Sequence, residues 1–296
     1  MRWIVGLQLA VLLTTGALLA TPPVPISRAQ SFGPRFGINI AYGVGGKEAL
    51  DAFGNIWYTD YSFSPPTWAG HARLYMVRPG SARANWAAVM RADRGAWWAV
   101  GNEPNDPYQD HQTPEAYAVF YHDFVLAARA VDPSVRLIPA GVANADWQWA
   151  EAFRQAHWER YGYWPVLDGW NIHNYLLEDD VDPYDVGEFQ QRIVAFRDWM
   201  ARIGDANKPL FLSEFGVLYG NGCCGRPVDP PEWTVDFMQQ TVQWLATTDY
   251  VQYWAWFASN TRGQYNGDLF DDEGRLTVYG RAYRALIRQF DGISGV

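Results

Sequence analysis

Cysteine is almost absent. The 296 residues hold two, Cys223 and Cys224, and these are neighbours in the chain. That excludes a disulfide framework and the spaced Cys/His ligands of a structural zinc site. A strained ring between the neighbours and a pair of reduced thiols both stay open. Positive charge is also scarce: 23 Lys and Arg face 32 Asp and Glu, a net charge of −9. Without a basic block, such a surface disfavours nucleic acid and anionic membrane as partners and suits a neutral polymer. Metal-ligand spacing is missing too. His111, His122 and His157 show no paired motif, and Asp268, Asp271, Asp272 and Glu273 do not alternate as in a calcium-binding EF-hand loop. No metal and no cofactor are expected.

Aromatic residues, by contrast, are abundant: 16 Trp, 17 Tyr and 15 Phe. A large core uses such rings, and so does a carbohydrate site, which stacks sugars on them. At the front of the chain Arg2 precedes an uncharged apolar run over residues 4–20, followed by Pro22, Pro23 and Pro25 and the small-residue segment Ser27-Arg28-Ala29. The pattern predicts a signal peptide over residues 1–29, with an uncleaved N-terminal anchor as the alternative. Either places the rest outside the cytoplasm. Cleavage removes Arg2 and Arg28 and leaves a charge of −11. A short linker over 30–35 then leads into one domain over 36–296, a length that fits a single α/β barrel.

Short apolar runs over residues 36–40, 56–63, 72–77, 97–100, 136–142, 167–175, 210–217 and 251–259 read as strands. Several lack apolar/polar alternation, as parallel strands covered on both faces do. Helical patterns fill many gaps. Thr113-Pro114-Glu115 begins one, with Tyr117, Phe120, Tyr121, Phe124 and Ala128 on its stripe. Ile193, Phe196, Met200 and Ile203, closed by Gly204, mark a second, and Asp229-Pro230-Pro231-Glu232 opens a third through Leu245. This alternation predicts the α/β class and a (β/α)8 TIM barrel. Only 63 residues separate Ile40 from Glu103, so the early helices must be short or irregular, and the numbering of the first three strands is open by one.

The sharpest signal is Trp97-Trp98-Ala99-Val100-Gly101-Asn102-Glu103-Pro104, an apolar strand that ends on a carboxyl group. Lys208-Pro209-Leu210-Phe211-Leu212-Ser213-Glu214-Phe215-Gly216 repeats the arrangement. Strand ends of a TIM barrel carry the active site, and a facing pair of carboxyl groups is the minimum for glycoside hydrolysis. These two segments resemble those of the large clan of retaining TIM-barrel glycoside hydrolases, with the first Glu at strand four and the second at strand seven. His173-Asn174-Tyr175 is similar to its strand-six His-x-Tyr, and Trp254-Ala255-Trp256-Phe257 to its strand-eight segment.

The resemblance implies Glu103 as general acid/base and Glu214 as nucleophile. It implies Tyr175 as a hydrogen-bond donor to Glu214, Asn102 on the sugar 2-hydroxyl, and Trp256 as the floor of a sugar subsite. His173 is expected in the site, Asn39 is a weaker substrate contact, and Trp254 is expected to point away from Trp256. Trp57, Tyr61, Trp68, Trp147 and Trp149 are candidates for outer subsites, fewer than half of which are expected to serve. The function implied is hydrolysis of a β-linked poly- or oligosaccharide by a monomer. A transglycosylase and a non-catalytic carbohydrate-binding barrel are the alternatives.

Overall fold

The structure is a computed structural model, and it describes residues 32–41, 46–65, 67–81, 85–219 and 229–290. The expected signal peptide, the start of the linker and the Cys223–Cys224 pair lie outside the described residues. Among those described, strands and α-helices run β1 (Phe36–Asn39), α1 (Lys47–Phe53), β2 (Trp57–Thr59), β3 (Ala72–Val77), α2 (Trp86–Ala92), β4 (Trp97–Asn102), α3 (Pro114–Val131) and β5 (Arg136–Gly141). They continue as α4 (Trp147–Tyr161), β6 (Trp170–Asn174), α5 (Val186–Arg202), β7 (Leu210–Phe215), α6 (Pro231–Thr247), β8 (Tyr253–Trp256) and α7 (Val278–Phe290).

The strands form one parallel ribbon in the order β5-β4-β3-β2-β1-β8-β7-β6. Its free edges meet at a parallel bridge between Val142 and Ile172. There the His173 N–H donates to the Val142 carbonyl at 2.9 Å and the Val142 N–H to the Asn171 carbonyl at 3.3 Å. The barrel is thereby closed. The crowding before Glu103 is resolved as the residue count requires. Helices α1 and α2 have seven residues each, and among the described residues no helix lies between β2 and β3. Strand four is therefore the one that ends at Glu103.

Side chains sort by the two-residue period of a strand. Trp57, Leu74, Met76, Trp97, Ala99, Ile138, Phe211 and Ala255 fill the barrel interior, with Phe32 beside them. Their sequence neighbours Tyr58, Tyr75, Trp98, Leu137, Leu212 and Trp254 pack outward against the helices. Helix α3 starts as expected, with the Thr113 side chain accepting from the Ala116 N–H and Pro114 in the first turn. Helix α6 differs: no side chain caps it, and Asp229 instead accepts from the Tyr184 hydroxyl at 3.0 Å.

Tyr117 of α3 reaches between two strands. Its fully buried hydroxyl donates to the Val100 carbonyl of β4 and accepts from the Ala140 N–H of β5, both at 2.7 Å. Tyr117→Phe leaves both backbone groups buried without a partner, at a cost of about 2–3 kcal/mol. Urea unfolding should show a lower midpoint with an unchanged slope; an unchanged midpoint would refute this account.

Candidate active site

The end of β4 is bent before it delivers Glu103. Gly101 sits at φ +102°, and a Cβ there would press on Ala140, Asp110 and Tyr117. Glu103 itself has φ +42°, a conformation uncommon outside glycine and typical of functional sites. The surroundings hold it there. The Glu103 N–H donates to the Gly141 carbonyl at 3.0 Å, and the Asp106 N–H donates back to the Glu103 carbonyl. Asp110 then ties the following loop to the strand, accepting from the Asn102 N–H at 2.7 Å and from Nε of Arg78 at 2.7 Å.

The end of β7 uses another device. Phe211 points inward while Leu212 and Phe215 point outward, so two residues, Ser213 and Glu214, occupy an interval that strict alternation would give to one. The pairing register of β7 shifts against both neighbours at this place. A bulge re-aims side chains in this way, and both Ser213 and Glu214 face the strand-six histidine.

His173 joins the two halves. Its Nδ1 lies 2.7 Å from Oε1 of Glu103 and 3.4 Å from Oε1 of Glu214. Its Nε2 lies 3.0 Å from the Ser213 hydroxyl. The Tyr175 hydroxyl donates to Oε2 of Glu214 at 2.9 Å. All of these side chains are buried or nearly so. Burial alone would lower the His173 pKa, but the charges of Glu214 and Glu103 and the bond to Glu103 outweigh it and raise it. For Glu214, burial pushes the carboxyl up to about 7, against the downward pull of His173 and Tyr175. Tyr175 is held far above its usual value, first by burial and then by Glu214. It therefore remains a donor.

Glu103 and Glu214 open on a cleft of about 690 Å³, lined also by Tyr61, Arg78, Asn102, Tyr108, Gln109, Tyr175, Glu178, Phe257 and Tyr265 among others. Asn102 donates from Nδ2 to Gln109 at 3.2 Å, and its Oδ1 is buried with no protein partner. One atom each of Glu103, His173 and Glu214 lies within 4.8 Å of the others, a grouping able to ligate a metal ion. An ion there would have to replace the bond between His173 and Glu103.

Of the residues singled out in the sequence, Glu103, Glu214, Asn102 and Tyr175 line the cleft, and His173 lies directly behind the two carboxyl groups. Trp256 does not line it. Residues two apart on a strand share a face, so Trp256 points outward with Trp254. It packs on Phe215 and Tyr283 and donates its indole N–H to the Gly267 carbonyl at 2.9 Å. The inward residue at the cleft is Phe257. Asn39 is likewise no surface contact: it is fully buried, donates to the Ser213 carbonyl at 3.0 Å and accepts from the Tyr61 hydroxyl at 2.8 Å. Tyr61 lines the cleft. Trp57 fills the barrel interior, Trp68 packs at a tilt on Tyr58, Trp147 lies under Arg202 and Trp149 packs on Tyr117.

Arg78, Asp110, Ser213 and Phe257 were not foreseen as site residues. Arg78 and Phe257 each follow the last residue of a strand, the same signal that singled out Glu103.

Three comparisons with known proteins bear on this geometry. The family described as "Glycosyl hydrolase catalytic core" matches residues 77–283. A curated intracellular exo-α-(1→5)-L-arabinofuranosidase from Acetivibrio thermocellus is 27% identical over 136 residues, 41% of this chain and 26% of that protein. The chain thus spans about a quarter of the length of the curated relative it matches. Among solved structures, a GH128 (subgroup II) endo-β-1,3-glucanase from Sorangium cellulosum superposes with TM-score 0.66 at 18% identity, covering 85% of this chain and 98% of that one. A curdlan-specific GH128 (subgroup III) exo-β-1,3-glucanase from Blastomyces gilchristii, in complex with glucose, gives 0.63 at 21% identity, covering 84% and 97%. These likenesses establish the fold.

The glycine at position 141 makes room for the histidine, since a methyl group there would overlap the His173 ring. Gly141→Ala should therefore push the imidazole off Glu103. In an NMR titration, the His173 pKa should stand above its ordinary value of about 6.5 in the wild type and fall toward it in the variant. Equal values in both proteins would show that the bridge does not control the charge.

Proposed function

The chain belongs to the glycosyl hydrolase catalytic core family, and from that premise we propose that it cleaves β-linked glucan by a retaining double displacement, with Glu214 as nucleophile and Glu103 as general acid and base. The observation that carries this reading is the buried glutamate pair facing one cleft, with one oxygen of each within 4.8 Å of the other. Retaining enzymes hold their carboxyl groups about 5–5.5 Å apart, and inverting ones about 6.5–9.5 Å apart to admit water. The activities of the structural neighbours on β-1,3-glucans support β-1,3-glucan as the first substrate to test.

In the first step the ionised Glu214 attacks C1 while Glu103 gives its proton to the departing glycosidic oxygen. As Glu103 becomes a carboxylate, the His173 N–H 2.7 Å away meets the new charge. Water then loses a proton to Glu103 and attacks C1, which frees Glu214. Tyr175 steadies the Glu214 carboxylate before attack. The unpartnered Oδ1 of Asn102 is suited to accept from a sugar hydroxyl, a contact that strengthens in the transition state. Phe257, Tyr61 and Tyr265 offer rings along the cleft. Action outside the cytoplasm remains part of the proposal and rests on the composition of residues 1–29; a monomeric state is proposed with it. Transglycosylation would use the same groups and differ only in which acceptor reaches the intermediate.

A panel of laminarin, mannan, xylan, galactan and arabinan, assayed by reducing-end release, tests the reading. Laminarin should be cleaved, and Glu103→Gln should slow the reaction roughly 100-fold or more. The first product seen by proton NMR should be the β-anomer. An α-anomer would replace the retaining mechanism with an inverting one. Cleavage of arabinan alone would move the substrate to the chemistry of the curated relative, and binding without cleavage would make the protein a carbohydrate binder.

Glu214 must be ionised to attack, and its carboxyl is pushed up to about 7. On the acidic side kcat/KM should therefore fall as pH drops through about 7. Tyr175→Phe removes a bond that favours the ionised form, so this limb should move to higher pH and kcat should drop roughly 100-fold. A limb that stays in place would remove Tyr175 from the set of groups that tune Glu214.

A further inference from the structure

We propose that His122, His157 and Tyr163 form a binding site for a divalent transition-metal ion of the zinc or copper class, on the outer helical layer away from the cleft. His122 lies on α3, His157 on α4, and Tyr163 just beyond the end of α4. Nδ1 of His157 is 2.9 Å from the Tyr163 carbonyl. A carbonyl only accepts, so this nitrogen carries the proton and the lone pair of the neutral ring is on Nε2. That lone pair faces Nδ1 of His122 at 3.4 Å. The Tyr163 hydroxyl oxygen is 3.2 Å from the same Nδ1.

Nδ1 of His122 cannot both accept from Tyr163 and donate to His157. If it accepts, two imidazole lone pairs are opposed. If it donates, the bond is longer than the usual range of about 2.7–3.2 Å, and the phenol loses its acceptor. A single cation satisfies all three atoms. Two imidazole nitrogens about 2.0–2.1 Å from a tetrahedral ion stand roughly 3.3–3.4 Å apart, which is the separation found here. The surroundings match those of metal-binding histidines, which give their second N–H to a carbonyl or carboxylate. His157 does so, and the His122 ring is fixed by stacking on Tyr161 at 3.6 Å and 5°. Burial, opposed by the Tyr163 carbonyl, together with the nearby His122 lowers the His157 pKa. Tyr163 is 42% exposed and His122 half-buried. An ion can therefore enter from solvent, and water can complete its coordination.

The full chain would be titrated with zinc(II) and copper(II) by calorimetry and by thermal unfolding, beside His122→Asn and Tyr163→Phe. His122 is half-buried on a helix surface, so its variant should fold and keep wild-type glucan hydrolysis. Zinc at about 100 times its Kd should raise the wild-type Tm by about 5 °C. His122→Asn should weaken binding at least about 10-fold, and Tyr163→Phe by a smaller factor. The copper(II) EPR spectrum should show two nitrogen ligands in the wild type and one in His122→Asn. Equal affinity in wild type and His122→Asn would place the ion elsewhere, for instance on Glu103, His173 and Glu214, and overturn the proposal. So would the absence of any Tm response at about 1 mM zinc. Neither result depends on whether the chain cleaves glucan.

Discussion

Two carboxyl groups are buried side by side at the mouth of the barrel, and His173 makes that tolerable. Like charges at this separation, out of water, favour protonation of one of them. An imidazole ring that lies against both, its pKa raised by their charges, gives the cluster a proton to share. Much of the nearby structure serves to place that ring. Gly141 leaves space for it, the β7 bulge brings Ser213 to its far nitrogen, and the bent end of β4 brings Glu103 to its near one. The same arrangement lets negative charge move between Glu103 and Glu214 while the imidazole stays within reach of both.

The fold was legible because the parallel strands are apolar on both faces. Seven of the eight runs in the sequence contain a whole strand of the barrel, and the eighth, 97–100, lies inside β4. Even the cramped stretch before Glu103 was readable as a shortage of residues for helices, and two of its connections hold helices of only seven residues. Glu103 and Glu214 stood out because a charged residue that ends an apolar strand has few structural reasons to be there.

What was not legible depends on phase and distance. Trp256 was expected at the cleft and Phe257 was passed over, although the alternation along β8 places Phe257 inward. Trp is the more conspicuous residue, but a strand's period is indifferent to size. The bulge at Ser213 is the reverse case. Strict alternation would have turned either Ser213 or Glu214 away, and no local residue announces the extra inward position. Asp110 and Arg78 form an ion pair across 32 residues of sequence, a contact that only the folded chain makes. Most of the aromatic surplus proved to be packing material, with Trp57, Trp98, Trp170, Trp199, Trp254 and Trp256 fully buried.

The closure of the barrel is uneven. Ladders join every other neighbouring pair of strands, including the first with the last through Phe36 and Trp254. Between β5 and β6, among the described residues, one β-bridge at Val142 does the joining, with a bond from the Asp168 N–H to the Leu137 carbonyl at 2.8 Å lower in the seam. Topologically the molecule is a continuous ribbon folded into a ring, and its seam lies in the middle of the chain. The connection that spans this seam is α4 and the turn after it. A circular permutation opened there would leave every ladder of the ribbon intact, whereas one opened anywhere else would sever the chain between two strands that a ladder joins.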